Sequence, residues 1–149
     1  INQLFKTNLN TDIIISNVKI LGKNNKLIRN YKSDNFKNYM FYFGHMPPHP
    51  GVFIKKKIYE KYGLFSENFE NAGDFELLAR MLLKNKCAYK KVPYYFVNMS
   101  FGGKSNKNIN SVVKNTIEIK KALNINNLLS SYFLILMRFF IKIFQFFKN

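Results

Sequence analysis

The chain has 149 residues, 47% of them hydrophobic and 17% aromatic, which excludes an intrinsically disordered protein and suits one domain with its own core. There are 24 Lys plus Arg against 8 Asp plus Glu, a formal charge of +16. That excess favours anionic partners such as nucleic acid, nucleotide phosphates or an acidic membrane surface, although it also fits a Lys-, Asn-, Ile- and Phe-rich composition with lysines on solvated faces. One cysteine, Cys87, excludes an internal disulfide. No secretory leader is visible, and the first residue is Ile1 rather than Met, so the chain reads as part of a longer frame.

Residues 1–11 are polar and carry no clear signal. Asp12 to Val18 is a β-branched run that reads as a buried strand. The turn Gly22-Lys-Asn-Asn-Lys then returns the chain through Leu27–Tyr31, which predicts a hairpin. Three prolines in four residues (Pro47, Pro48, Pro50) exclude a helix in the loop from Gly44 to Pro50. Val52–Ile54 reads as a strand and Lys55–Tyr62 as a short helix stopped by Gly63. Phe65–Gly73 is a loop. Apolar residues at 75, 77, 78, 81 and 82 predict a helix over Phe75–Lys84 with one buried face. Ala88–Val97 reads as a strand interrupted by Pro93, which suits an edge or a strand start. Ser105–Ile125 reads as an Asn-rich helix, and residues 128–147 are the most apolar stretch.

The loop histidines and carboxylates are the first candidates for function. His45 and His49 have the four-residue spacing of two zinc ligands on a helix, but the prolines forbid that helix and no third ligand is near in sequence. His49 can instead be a residue that a rigid loop presents to a phosphate or a sugar hydroxyl. Asp74 precedes a helical run, so it reads either as an N-cap or as a general base at a helix start. Glu76 lies two residues on, and that spacing does not establish a carboxylate pair. Gly102-Gly103-Lys104-Ser105 ends like a phosphate loop but lacks its earlier glycine, since position 98 is Asn. The glycine pair can still bind phosphate through backbone N–H groups, or form an ordinary turn with Ser105 as N-cap. In the tail, Ser131, Arg138, Lys142 and Gln145 make a narrow polar stripe on an otherwise apolar helix. From Ile119 onward there are basic residues and no acidic ones. Such a helix suits the headgroup region of an anionic leaflet; packing on the domain and a membrane span are the alternatives.

Taken together, five blocks resemble the C-terminal half of bacterial family-2 glycosyltransferases, nearest to those that build colanic acid, O-antigen and capsule. They are Met46-Pro47-Pro48-His49-Pro50; Phe53 with its basic neighbours; Tyr59-Glu60-Lys61-Tyr62-Gly63-Leu64-Phe65; Ala72-Gly73-Asp74-Phe75-Glu76-Leu77-Leu78-Ala79-Arg80; and Gly102-Gly103-Lys104-Ser105. The likeness runs from about Asp12 to about Asn126. It implies an α/β fold: part of the Rossmann-like GT-A domain, without its N-terminal donor-binding half. Residues 1–126 would be the acceptor-side, base-carrying part, and residues 127–149 an amphipathic, basic, membrane-associated helix.

The resemblance further implies sugar transfer, with inversion, from a nucleotide-sugar donor to a saccharide or lipid-linked acceptor, with Mg²⁺ or Mn²⁺ as cofactor. Asp74 falls on the family's Ala-Ala-Asp-Tyr-Asp/Glu pattern as the general base. His49 falls on the Pro-His-Pro element, and Gly102, Gly103 and Ser105 on the Gly-Gly-x-Ser loop, as substrate-binding residues. The expected location is the cytoplasmic face of the bacterial inner membrane. Departures are also clear. None of the eight acids forms the metal-holding Asp-x-Asp, Ser16-Asn17 stands where the family often has Gly-Asp, and Gly73 stands for the usual second Ala. The chain alone is therefore expected to be inactive without its missing half, and the alternative is an inactive membrane-associated remnant. A basic nucleic-acid-binding protein is a further reading, but no helix-turn-helix, zinc-finger or RNA-binding signature supports it.

Overall fold

A computed structural model describes residues 1–7, 9–101 and 109–138. The fold is mixed α/β, with one four-stranded sheet built around strand β1 (Ile13–Leu21). Its β-branched run is buried from Ile13 to Val18, as a strand covered on both faces requires. Strand β2 (Leu27–Tyr31) returns antiparallel as the predicted hairpin, pairing Val18 with Tyr31 and Ile20 with Arg29. Asn24 and Asn25 take the left-handed conformation in the turn, which asparagine tolerates better than most residues. Strand β3 (Val52–Ile54) pairs antiparallel with the first half of β1, Ile14 opposite Phe53. Strand β4 (Tyr89–Ser100) runs parallel to β1 along its whole length. Since β4 fills one edge of β1, β2 and β3 must share the other.

Pro93 does not end β4. The register jumps from Ser16 opposite Val92 to Asn17 opposite Tyr95, leaving Pro93 and Tyr94 in a bulge. The Asn17 amide donates to the Pro93 carbonyl across that bulge (3.1 Å). On its outer side β4 has no partner strand among the described residues, the edge position that suits a strand proline.

Helices lie on the face carrying Ile13 and Ile15. Helix α1 (Asn2–Thr7) occupies the stretch in which the sequence showed no signal, and none of its residues is buried. Helix α2 (Lys56–Tyr62) stops at Gly63, whose φ of +90° suits glycine. Helix α3 (Gly73–Ala79) begins two residues before the predicted start and continues as a π-helical turn over Arg80–Lys84. Phe75, Leu78, Met81 and Leu82 enter the core with Phe41 and with Leu123 of helix α4 (Ile109–Ile125).

Residues 132–138 are helical, with Ser131 capping their start. This described part of the tail packs on the domain rather than standing clear of it. Arg138, expected on a polar outer stripe, is turned inward and buried, and it donates to the Thr116 hydroxyl of α4 (2.7 Å). The Thr116 hydroxyl on α4 and the small Gly44 beneath the guanidinium stem give it a place there.

Candidate active site

The proline loop is held on the sheet by neutral hydrogen bonds and by shape. Pro47 and Pro48 are fully buried. The Tyr31 hydroxyl donates to the Met46 carbonyl (2.8 Å), and Ser16 Oγ donates to the Gly51 carbonyl (3.1 Å). Gly51 N–H closes back on the Pro48 carbonyl (2.8 Å), forming the single turn His49–Gly51. A Cβ at Gly51 would stand 2.6 Å from the Ser16 carbonyl, so the loop can lie this close to β1 only with glycine there. Ser16 and Asn17, the departure from Gly-Asp, are both buried. Asn17 Oδ1 accepts from the Ser33 N–H (2.8 Å) and the Ser33 hydroxyl (3.0 Å).

Opposite the loop stands the start of α3. Asp74 is not the N-cap: Ala72 occupies that position, and Asp74 lies in the first turn. The N–H groups at this helix start are met by another residue. Glu118 of α4 accepts from Asn71 N–H (2.8 Å) and Ala72 N–H (2.9 Å). Burial would raise the Glu118 carboxyl, but these backbone donors, with Glu70 N–H and the Asn71 side chain, outweigh it and hold the group below its ordinary value.

The Asp74 carboxylate is thereby left for the loop, and its Oδ2 lies 3.5 Å from His49 Nε2. Both side chains are partly open to solvent, 45% for Asp74 and 38% for His49. Tyr59 of α2 stands close enough that the Asp74 charge adds to burial in pushing its phenol up. The result is an accessible carboxylate beside an imidazole and a phenol, each on a different element. Such a group can take a proton from a hydroxyl laid against it.

Glu76 belongs to a different structure. It is buried, accepts from Arg80 Nε (2.9 Å) and Nη2 (3.1 Å), and accepts from Asn126 Nδ2 (3.1 Å). Arg80 also donates to the carbonyls of Tyr62, Gly63 and Leu64, tying α3 to the end of α2. Asp74 and Glu76 therefore do not share a site. Of the two histidines, His49 and not His45 is the one paired with Asp74, and among the described residues no group of three or more His, Cys, Asp or Glu side chains could hold a metal ion. Gly102, Gly103 and Ser105, the remaining expected substrate-binding residues, lie outside the described residues.

Glu118, Arg80 and Asn126 support the site without standing out as candidates in the sequence. A signal was present in α4: Glu118, Ala122 and Asn126 recur every fourth position, so two polar residues share the face that buries Ala122. Polar residues on a core-facing stripe indicate buried hydrogen-bonding partners.

Comparison with protein-family models and with curated proteins gives no match.

Proposed function

We propose that the chain is the acceptor-side part of an inverting glycosyltransferase of the family-2 kind, with Asp74 as general base. The observation that carries this reading is the meeting of Asp74 with His49, which come from two separate resemblance blocks. The Asp74 carboxylate takes the proton of an acceptor hydroxyl as its oxygen bonds to the anomeric carbon of a nucleotide sugar. The bond from that carbon to the nucleoside diphosphate breaks, and its electron pair leaves with the diphosphate. His49, 3.5 Å away, orients the carboxylate and borders the acceptor. The acceptor in this reading is a saccharide or a lipid-linked sugar, at the cytoplasmic face of a bacterial inner membrane. The Mg²⁺ or Mn²⁺ implied by the resemblance does not fit the residues here: Glu76 is occupied by Arg80 and Asn126, and the sequence has no Asp-x-Asp. No step is assigned to a metal on this chain.

The test is transfer from labelled nucleotide sugars to lipid-linked saccharides, by the purified chain and by the chain supplied with a donor-binding half. The expected result is no turnover alone, turnover for the pair, and a loss of about a thousandfold in the pair with Asp74→Asn. Turnover by the chain alone would overturn the split-site reading. Turnover of the pair that is indifferent to Asp74→Asn would overturn the base assignment.

A further inference from the structure

Side chains alternate along β1, so Lys19 shares the sheet face of Ile13, Ile15 and Asn17. Those three are buried, whereas Lys19 is exposed. It stands opposite Asn30 of β2 on one side and Asn98 of β4 on the other. Residues directly opposite one another share a face, so an amide, an ammonium and an amide form one row across three strands. With about 4.8 Å between neighbouring strands, the two amides are about 10 Å apart. Both asparagines are exposed, and among the described residues neither side chain has a hydrogen-bond partner, in contrast to the buried Asn17 and Asn126. The bulged register of β4 makes this row. Carried on from Ser16 opposite Val92, the register would bring Tyr95 opposite Lys19. The two shifts bring Asn98 there and set Tyr95 opposite Asn17 instead. The Tyr95 ring then carries the Lys19 ammonium, 5.3 Å from its centre. Strands β1, β2 and β4 contain no Asp or Glu, so these strands give that ammonium no counter-charge.

We propose that this row binds a saccharide that carries a carboxylate. Each amide offers an acceptor oxygen and two donors, which suits sugar hydroxyls, since these both donate and accept. A phosphate backbone only accepts, and would leave both amide oxygens unmatched. The ammonium between the amides takes the carboxylate in a charge-assisted bond. Tyr95 beneath it reduces the freedom that Lys19 loses on binding. One cation with an amide on each side matches an acidic sugar within a chain, with hydroxyls of its neighbours reaching the amides. Along β1, Lys19 lies three residues, about 10 Å, beyond Ser16, whose hydroxyl holds the turn His49–Gly51. A short oligosaccharide that accepts a sugar at Asp74 can extend to this row. The row's place on the acceptor path rests on the assignment of Asp74 as base, and its binding of the acidic sugar does not.

The test is isothermal titration of the 149-residue chain with three probes. They are tetragalacturonate, its methyl ester, which keeps the hydroxyls without the charge, and tetraglutamate, which keeps the charge without the hydroxyls. The expected result is that tetragalacturonate binds about tenfold tighter than either control. Lys19→Gln should weaken tetragalacturonate about tenfold and leave the ester unchanged. The double variant Asn30→Ala, Asn98→Ala should weaken both sugar ligands about tenfold and leave tetraglutamate unchanged. All three positions are exposed, so each variant should melt at the same temperature as the parent. Tetraglutamate bound as tightly as tetragalacturonate would overturn the inference in favour of diffuse attraction to a chain of net charge +16. So would a folded chain that binds no tetragalacturonate, or binding that is indifferent to all the variants. These are binding measurements, so their failure leaves Asp74 standing as base, and turnover indifferent to Asp74→Asn leaves the row standing.

Discussion

The two walls of the candidate site are made rigid by different physics. The His49 wall is neutral: buried prolines, a glycine pressed against β1, and hydroxyl bonds from Tyr31 and Ser16 to backbone carbonyls. The Asp74 wall is held by charge: Glu118 under the backbone before α3, and Glu76 bound to Arg80 and Asn126 behind it. Shape fixes a loop over a sheet cheaply, because a proline loop has little conformational entropy to lose. A helix start presents N–H groups that must be met, and a buried carboxylate meets two at once. The wall that must leave one carboxylate accessible thus uses two others for its own support.

The charged wall is most vulnerable at Glu76. Glu76→Ala leaves Arg80 without its carboxylate partner and Asn126 short of an acceptor, and is expected to cost about 3–5 kcal/mol in chemical denaturation. A cost under about 1 kcal/mol would show that charge does not hold this wall. Gly51→Ala tests the other wall. The added methyl meets the backbone of Ser16, which cannot swing aside, so a loss of about 1–3 kcal/mol is expected, equal at high and low salt.

Glu118 sharpens the contrast through pH. Its carboxyl is lowered in the folded chain, so its contribution is fully present above the ordinary value of 4.5 and is lost as pH falls through the folded value. Glu118→Gln should cost about 1–2 kcal/mol at neutral pH, with the difference from the parent vanishing in acid. Denaturation midpoints across the acid range measure this, and a pH-independent difference would reassign the role of Glu118 to packing. The smallest effect is expected at Gly73, where an added Cβ meets nothing nearer than 4.0 Å. Gly73→Ala should stabilise the start of α3 by about 0.4–1 kcal/mol. A melting temperature that falls instead would show that this helix start needs glycine.

The neutral wall was more legible in the sequence than the charged one. Pro47, Pro48 and Pro50 declare a rigid loop by themselves, and Val52–Ile54, α2 and its Gly63 stop follow from neighbouring residues. Asp74 was found as a candidate base, but its place in the helix was misjudged by the N-cap expectation. The cause lies far along the chain: Glu118, more than forty residues on, serves the N–H groups around Ala72. Arg138 was misplaced for the same kind of reason. Its outward position was inferred from the periodicity of the tail, whereas its rotation is set by Ile135 seating on Gly44. Pro93 suggested an interrupted strand, and the bulge that admits it depends on the distant amide of Asn17.

Strand β1 borrows its neighbours from three widely separated parts of the chain: Leu27–Tyr31, Val52–Ile54 and Tyr89–Ser100. The hairpin with β2 is local and can form early, but two strands alone are marginal in water. Parallel pairing with β4 closes a loop of more than seventy residues before any bond repays it, which makes this a slow step in folding. During synthesis, the run Ile13-Ile14-Ile15 stays unpaired on one edge until its partners Tyr89–Lys91 have cleared the ribosome. That interval is when the chain is most open to aggregation and most in need of a chaperone.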